Sequence, residues 1–318
     1  MAQSPDVRPY RPGDEVGIRR LFHEVFGREM SPAEWNWKYT GRGNEKVYAV
    51  VAVTGEGEVV GHYGGTPSEM IYRGRPAKGM SLGDVMIHPR YRGLKTFRRL
   101  THAMEEFLYQ EGFLMVYGFP TEETLMLLSE KIGLYERVED VLDFSKVGSM
   151  HNNAQRFIYK LFPLKFTDGR IDELWDAARN EMGLALVRDR EYFTWRYQKN
   201  PLYSYELWGM RRRWSKKLLA LFVVRRDSHD KVLVMDLLCK QKFVSAVLIK
   251  AENLSAAASG SPVIRLWLPS YMHRLAEDRG FARGSIVSTI PCTTHPGFLT
   301  SKEIKGIFFY TMGDTDFL

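Results

Sequence analysis

Cysteine is scarce in this chain: its 318 residues include only Cys239 and Cys292. Two cysteines cannot form a disulfide framework, and neither stands in a spacing typical of a metal site. We therefore expect both to be small, reduced, buried side chains without a catalytic role. The same reasoning predicts no bound metal and a cytoplasmic protein.

Long apolar runs are also missing. No stretch approaches the roughly 20 apolar residues that span a bilayer, and the polar, proline-rich residues 1–15 lack the apolar segment of a signal peptide. Hydrophobic residues make up 44% of the chain and charged residues 26%, which is typical of a globular protein. We expect no membrane partner.

Acidic residues are scarce in the second half alone. Residues 1–150 hold 19 basic and 21 acidic residues, whereas residues 151–318 hold 26 and 17. Such an excess suits a nucleic acid, an anionic lipid or an anionic small molecule, but the sequence contains no nucleic-acid-binding motif. The densest basic runs, 211–217 and 225–226, are expected to be solvated hairpin ends. A nucleic-acid partner is therefore not favoured.

Strands and helices alternate in the first half, as judged from apolar periodicity. The predicted helical segments are 13–26, 31–39, 94–111 and 121–131, and the predicted strands are 47–54, 59–64, 80–87, 113–119 and 134–144. A final strand is expected at 307–310.

The second half repeats parts of the first. The string WKY at 37–39 returns as WRY at 195–197, and the strand–proline–helix–glycine order of 117–134 returns at 266–281. This spacing of about half the chain indicates a tandem duplication rather than a solenoid. Polar, aperiodic sequence places the linker within 145–168. We expect Trp35, Trp37 and Tyr39 to be core aromatics.

The stretch VMIHPRYRGLKTFRRL, residues 85–100, combines an apolar strand, a turn with arginine and glycine, and a helix start. The first N–H groups of a helix have no internal partner and carry a partial positive charge, so such a turn can bind phosphate. Arg92, Lys95, Arg98 and Arg99 are unfavourable at a helix start unless an anion lies there. The alternative is an ordinary basic surface helix.

The string VMIHPRYRG, residues 85–93, resembles the acyl-CoA-binding motif of the GNAT N-acetyltransferases. The order of elements in 5–145 and the string FPTEETLMLLSEKIGL at 119–134 resemble the same family. The second half resembles a degenerate second GNAT domain, as in bacterial tandem-GNAT proteins. The resemblance implies an α/β (α+β) fold with two domains, 1–148 and 149–318. Each would have a mixed, mostly antiparallel central sheet flanked by helices.

By this resemblance, acyl-CoA would contact two groups of residues in the first domain. The pantetheine arm would pair with the strand backbone, and the pyrophosphate would lie against the turn and the first helical turn. The first group is Val85, Met86 and Ile87, and the second is Arg92, Gly93, Leu94, Lys95, Thr96 and Phe97. Two positions depart from the family: its central glycine falls on Lys95 and its last Gly/Ala on Phe97. Lys95 would crowd the pyrophosphate if close backbone approach is essential.

Acetyl transfer to an amine needs a base for the ammonium and an acid for the leaving thiolate. The family's base often lies at the position of Asp84, although a strand carboxylate there can simply pair with a cation. The family's acid falls on Ser129, whose hydroxyl is a poor acid, so Tyr135 and Tyr117 are further candidates. His88 is expected to end the strand.

The resemblance implies an acetyl-CoA-dependent N-acetyltransferase that acts directly on the primary amine of a small-molecule acceptor, without a covalent intermediate. Two alternatives stay open: a non-catalytic acyl-CoA-binding or regulatory GNAT protein, and an aminoacyl-tRNA-dependent transferase, which the basic second half would suit. The C-terminal tail, with Asp314, Asp316 and Leu318, is either frayed or a source of carboxylates for a cationic amine. A homodimer is also possible.

Overall fold

The computed structural model describes residues 4–43, 46–149, 158–227, 231–256 and 262–315. Within these ranges, no helix combines the length and the apolar character needed to cross a membrane.

Short and long helices alternate with strands along the chain. The α-helices are α1 (Asp14–Phe26), α2 (Pro32–Trp35), α3 (Leu94–Gln110), α4 (Glu122–Met126), α5 (Arg170–Ala178), α6 (Arg190–Phe193), α7 (Val244–Ala256), α8 (His273–Glu277) and α9 (Ser301–Ile304). Three of them, α2, α4 and α6, continue into π-helical turns at Asn36–Thr40, Leu127–Ile132 and Thr194–Gln198.

The strands form two sheets. They are β1 (Asp6–Pro9), β2 (Ala49–Val53), β3 (Val59–Tyr72), β4 (Arg75–Ile87), β5 (Met115–Tyr117), β6 (Tyr135–Val147), β7 (Tyr159–Pro163), β8 (Leu184–Leu186), β9 (Glu206–Arg212), β10 (Leu218–Arg226), β11 (Val232–Cys239), β12 (Val263–Trp267), β13 (Ala282–Thr293) and β14 (Phe308–Phe309).

Most predicted elements of the first half are confirmed. Helix α1 buries Ile18, Leu21 and Phe22 because these residues recur on one helical face. Helix α2 begins as expected: the Ser31 Oγ accepts a hydrogen bond from the Glu34 N–H at 3.0 Å, which satisfies an otherwise unpaired donor. Strands β3 and β4 are much longer than the predicted strands 59–64 and 80–87, because polar side chains in 66–69 and 75–79 hide the strand pattern.

The chain folds into two compact units that do not follow the halves of the sequence. The first unit contains 1–69, 77–138 and 289–303, and the second contains 70–76, 139–288 and 304–318. Residues 289–303 therefore complete the unit that the first half mainly forms. The tandem-domain boundaries at 148 and 149 stay a prediction.

In the first unit the strand order is β1-β2-β3-β4-β5, with β4 and β5 parallel. One apolar cluster contains the core face of α3, including Phe97 and Leu100. A separate cluster contains Ile18 and Leu21 of α1 with Trp35. Helices thus cover this sheet with two distinct apolar layers.

In the second unit the order is β13-β6-β12-β11-β10-β9-β7, with β11 and β12 parallel. Strand β8 pairs with β14 and with residues 70–72 of β3. The succession β10-β11-α7-β12 repeats the succession β3-β4-α3-β5 of the first unit. The predicted fold class is confirmed: both sheets are mixed, mostly antiparallel and flanked by helices.

The C-terminal segment is anchored as far as Thr315. After β14, the Thr311 and Asp314 side chains close a reciprocal capping box, and Asp314 Oδ2 lies 2.6 Å from the Arg188 guanidinium with both side chains fully buried. The expectation of a frayed tail is therefore wrong for this segment. Asp316 and Leu318 lie outside the described residues.

Both cysteines are buried and unbridged. Burial raises the pKa of the Cys292 thiol to about 12, and it raises the pKa of Cys239 as well. Since only a thiolate is nucleophilic, the predicted inert role is consistent with both environments.

Candidate functional site

The turn after β4 is built by the backbone and by His88. The His88 N–H donates to the Val60 carbonyl at 2.8 Å, and its Nδ1 accepts from the Arg90 N–H at 3.2 Å. Pro89 then opens a single 3₁₀ turn that ends at Tyr91. His88 therefore ends the strand and starts the turn, as expected.

The N-terminus of α3 is uncapped and open. No side chain caps it, and the first helical bond runs from the Phe97 N–H to the Gly93 carbonyl at 3.1 Å, so the N–H groups of residues 94–96 precede the helical ladder. Gly93 has φ 158° and ψ 157°, which L-residues rarely adopt. A Cβ added at Gly93 would meet no atom within 4 Å. We call this feature, residues 92–97, the cradle.

The charges around the cradle are fewer than the sequence suggests. Arg92 donates from Nε to the Ile87 carbonyl at 3.2 Å, which keeps its guanidinium at the turn, and Lys95 is exposed. Phe97 is 6% exposed and packs in the core, so it does not crowd the cradle. Arg99, in the next helical turn, donates to the Pro5 carbonyl at 2.6 Å.

On one side, the strand that leads to the cradle extends beyond its parallel partner β5, whereas β3 lies on its other side. The parallel ladder of β4 and β5 joins Gly79–Ser81 to Met115–Tyr117 and stops there. Residues 85–87 lie beyond this ladder, with Met86 and Ile87 buried and Val85 half-buried. This is the backbone that could pair with an extended amide-bearing ligand.

Asp84 lies between the ladder and the cradle, and it has a positive φ of 48°. A non-glycine residue in this region is strained and persists only when its surroundings hold it. Its Oδ2 lies 2.7 Å from the Lys38 Nζ and accepts a hydrogen bond from the Tyr39 hydroxyl at 2.7 Å. The His62 Nδ1 lies 2.8 Å from its carbonyl oxygen. We call these four residues the Asp84 clamp.

His62 is fully buried, and burial lowers its pKa, so the ring is neutral near pH 7. Because Nδ1 faces a carbonyl oxygen, Nδ1 carries the proton and donates. A Cβ at Gly64 would lie within 3 Å of both the His62 and the Tyr39 rings. Only glycine lets these rings approach the strand so closely.

The second unit contains the counterpart of this clamp. The WRY string lies in a π-turn like the WKY string, and the Tyr197 hydroxyl donates to Asp236 Oδ2 at 2.9 Å. Asp236 lies in β11, two residues beyond the β11–β12 ladder. Its cation is Arg188, at 2.9 Å from Oδ1. The predicted repeat of the WKY string therefore extends to the carboxylate that each tyrosine binds.

The second unit lacks the counterpart of the cradle. A 3₁₀ turn at Gln241–Phe243 leads directly into α7, and no glycine occurs between Asp236 and α7. The first residue of α7, Val244, is fully buried. The start of α7 is therefore not open to an anion in the way that the start of α3 is.

The three catalytic candidates from the sequence lie in different environments. Asp84 belongs to the clamp. The Ser129 hydroxyl donates to the Leu125 carbonyl at 2.7 Å within its own helix. Tyr135 is 3% exposed in the core, where burial raises its pKa well above the usual value. Tyr117 is also buried. No hydrogen bond or ion pair in the described part of the chain connects Asp84, Ser129 and Tyr135.

A carboxyl group that sequence reasoning missed lies beside Tyr135. Glu105, on the core face of α3, is 2% exposed and accepts a hydrogen bond from the Thr293 hydroxyl. Burial raises its pKa to about 7, and this hydrogen bond offsets the effect only in part. Lys38 was missed as well, although its place in the repeated WKY string was a usable signal.

No group of three or more His, Cys, Asp or Glu side chains in the described ranges could hold a metal ion. The chemistry available at the cradle is anion binding by backbone N–H groups and by Arg92 and Lys95.

The first unit thus combines a β4–β5 ladder that ends before Asp84, a strand residue with positive φ and an open helix start. Residues 6–133 match the family model described as the acetyltransferase (GNAT) domain. This segment contains both the clamp and the cradle, and it is a GNAT domain. A search of curated proteins finds no significant match.

Solved structures resemble most of the chain. A "probable N-acyltransferase" of Enterococcus faecalis V583 gives a TM-score of 0.67 at 10% identity, covering 91% of this chain and 72% of that one. A GCN5-related N-acetyltransferase of Kribbella flavida gives 0.65 at 15% identity, covering 91% and 71%. Saccharomyces cerevisiae N-myristoyltransferase with bound myristoyl-CoA gives 0.57 at 11% identity, covering 92% and 82%. At these identities the likeness establishes the fold.

Glu105 makes the stability of the protein dependent on pH. Because its folded pKa of about 7 exceeds the unfolded value near 4.3, the folded state holds the proton more tightly. Stability therefore falls as the pH rises through this window. We expect Glu105→Gln to remove a loss on the order of 3 kcal/mol between pH 5 and pH 8.

Urea unfolding at several pH values measures this effect. Glu106→Gln is the matched control, since the Glu106 side chain is 57% exposed. Equal pH dependence in the wild type and in Glu105→Gln would contradict the prediction.

Proposed function

We propose that the protein is an acetyl-CoA-dependent N-acyltransferase that acetylates a primary amine of a small-molecule acceptor. The observation that carries this proposal is the open, uncapped start of α3 behind the end of β4, which extends beyond its β5 partner, inside a segment that matches the GNAT domain model. Buried, reduced cysteines favour the cytoplasm as its compartment.

The residues present fit a CoA pyrophosphate. The space in front of Gly93 is open, the N–H groups of 94–96 precede the helical ladder, and Phe97 lies in the core. Lys95 replaces a family glycine, but its exposed side chain can reach a phosphate oxygen as a charged donor. Both departures from the family pattern are thus compatible with binding.

Bound at this site, acetyl-CoA would supply the activated thioester. The chain's residues would hold it: Arg92, Lys95 and the α3 amides at the pyrophosphate, and the backbone of residues 85–87 along the pantetheine arm. A backbone N–H directed at the thioester oxygen would stabilise the negative charge that develops during amine attack. Holding the two reactants together removes much of the entropic barrier.

We propose that Asp84 is a positioning residue rather than the general base. Its carboxylate is bound by Lys38 and Tyr39, and Asp236 makes the equivalent tyrosine contact in a unit without a cradle. The contact shared by both units is thus the structural one. The clamp would hold the strained residue that separates the β4–β5 ladder from residues 85–87.

The non-catalytic alternative has one observation in its favour. The Ser129 hydroxyl is hydrogen-bonded within its own helix, and Tyr135 is buried in the core. Neither side chain is therefore an exposed acid. Release of CoA thiol from acetyl-CoA in the presence of an amine panel separates the alternatives. Binding without amine-dependent release would favour a regulatory protein.

The cradle is tested by the double variant Arg92→Ala/Lys95→Glu. Loss of charge-assisted contacts to phosphate should weaken acetyl-CoA and CoA binding at least about tenfold in calorimetric titration. Lys302→Ala/Lys305→Glu has the same change in net charge at exposed positions and should bind like the wild type. Equal affinities for all three proteins would contradict the proposal that the cradle binds the pyrophosphate.

The role of Asp84 is tested by Asp84→Asn and Tyr39→Phe. If Asp84 positions the strand, both variants should raise the KM for acetyl-CoA. In Tyr39→Phe the cause would be the loss of one hydrogen bond to a charged group, an interaction of about 1.5–3 kcal/mol. If Asp84 is the base, Asp84→Asn should lower kcat by about 10²–10⁴ with an unchanged KM, and Tyr39→Phe should retain kcat. A lowered melting temperature with unchanged KM and kcat would make the clamp purely structural.

A further inference from the structure

The β9–β10 hairpin ends in a strongly exposed tryptophan. Trp214 is 88% exposed, more than any other large apolar side chain of the described residues. It is a central residue of the turn that the Ser215 N–H closes onto the Arg212 carbonyl at 3.1 Å. Exposing the indole to water is unfavourable, because its apolar surface would be more stable if it were buried.

The turn that presents Trp214 is braced by its own chain. The Arg211 guanidinium donates to the Ser215 carbonyl at 2.8 Å and to the Arg213 carbonyl at 3.0 Å. The Lys217 N–H donates to the Ser215 Oγ at 3.1 Å. Trp214 is therefore held outward by a fixed turn, so little conformational entropy would be lost on binding.

Positive charge surrounds the indole. Arg212, Lys216 and Lys217 are exposed and have no ion-pair partner among the residues that the structure describes. No acidic residue occurs between Glu206 and Asp227. The charges read from sequence alone as solvated loop residues thus share a projecting tip with a large aromatic side chain.

The neighbouring edge strand carries further exposed side chains. The Arg213 N–H donates to the Ile158 carbonyl at 2.9 Å, and Ile158 is 44% exposed. Lys160 in β7 pairs in register with Arg211 and is exposed. Lys160 shares its sheet face with Arg211 rather than with Arg212, so we restrict the surface to the hairpin end and call Arg212, Trp214, Lys216 and Lys217 the Trp214 tip.

Against the expectation from the sequence that there is no membrane partner, we propose that the Trp214 tip docks the protein onto an anionic lipid surface. Tryptophan favours the headgroup level of a bilayer, and clustered Lys and Arg side chains are drawn to anionic lipids. An exposed turn that presents one indole among basic side chains suits shallow insertion. Single-stranded nucleic acid instead needs a groove with several stacking aromatics, which a single indole at a turn does not provide.

Vesicle sedimentation with the full chain tests the proposal. The probes are phosphatidylcholine vesicles with and without about 30% phosphatidylglycerol, at low and high salt. We expect binding to the anionic vesicles only, and weaker binding at high salt. Trp214→Ala should weaken it about tenfold, and Arg212→Glu/Lys217→Glu by roughly 30-fold or more.

Lys302→Glu/Lys305→Glu is the matched control, because it changes the net charge equally at exposed positions of another segment. It should retain vesicle binding. Vesicles should also blue-shift the fluorescence of the wild type, and this shift should be lost in Trp214→Phe. These variants change only exposed side chains, so their folding is checked simply by the melting temperature.

Three results would overturn the proposal. The first is no binding of the wild type to anionic vesicles, and the second is binding that Trp214→Ala and the charge reversal leave unchanged. The third is a Trp214-dependent affinity for an RNA oligomer, or a Trp214-dependent dimer, without vesicle binding. None of these results bears on the cradle, whose test uses acetyl-CoA and CoA without vesicles.

Discussion

The proposed acyl-CoA site depends on the way one strained residue is held in β4. Asp84 adopts a positive φ of 48° that a non-glycine residue keeps only under constraint. A buried ammonium, a tyrosine hydroxyl and a neutral histidine supply that constraint from two other segments. Beyond this point β4 runs without its parallel neighbour, and its last residues lead directly to the open start of α3. The backbone amides that would bind acyl-CoA are therefore arranged by a charge pair several residues away.

The second unit contains a similar carboxylate–tyrosine contact but no cradle. Asp236 and Tyr197 repeat the contact of Asp84 and Tyr39. The cation at Asp236 is the fully buried Arg188, which lies outside the WRY string. There the C-terminal segment lies against the same carboxylate: the Asp314 side chain shares Arg188 with Asp236. A buried charge pair is costly to break because one charge would remain unpaired. The second unit thus has a structural use for this carboxylate at a position without a cradle.

Sequence reasoning succeeded where the signal was local. The strand, turn and helix of 85–110 follow from apolar periodicity and from His88, Pro89 and Gly93, and the repeated WKY and WRY strings lie in matching π-turns. It failed where partners are distant in sequence. The pairing of Lys38 with Asp84 is tertiary, and the positive φ of Asp84 has no sequence signature. Glu105 is one of several polar residues on a helix whose core face only the folded chain defines.

Amide hydrogen exchange with and without CoA would test the central claim most directly. The account predicts slower exchange on CoA addition at residues 85–87 and 94–96, because those N–H groups would gain partners. Exchange at the counterpart segment 237–239 of the second unit should not change. Unchanged exchange at both cradle segments, at CoA concentrations that saturate GNAT proteins in general, would contradict the claim that this turn binds acyl-CoA.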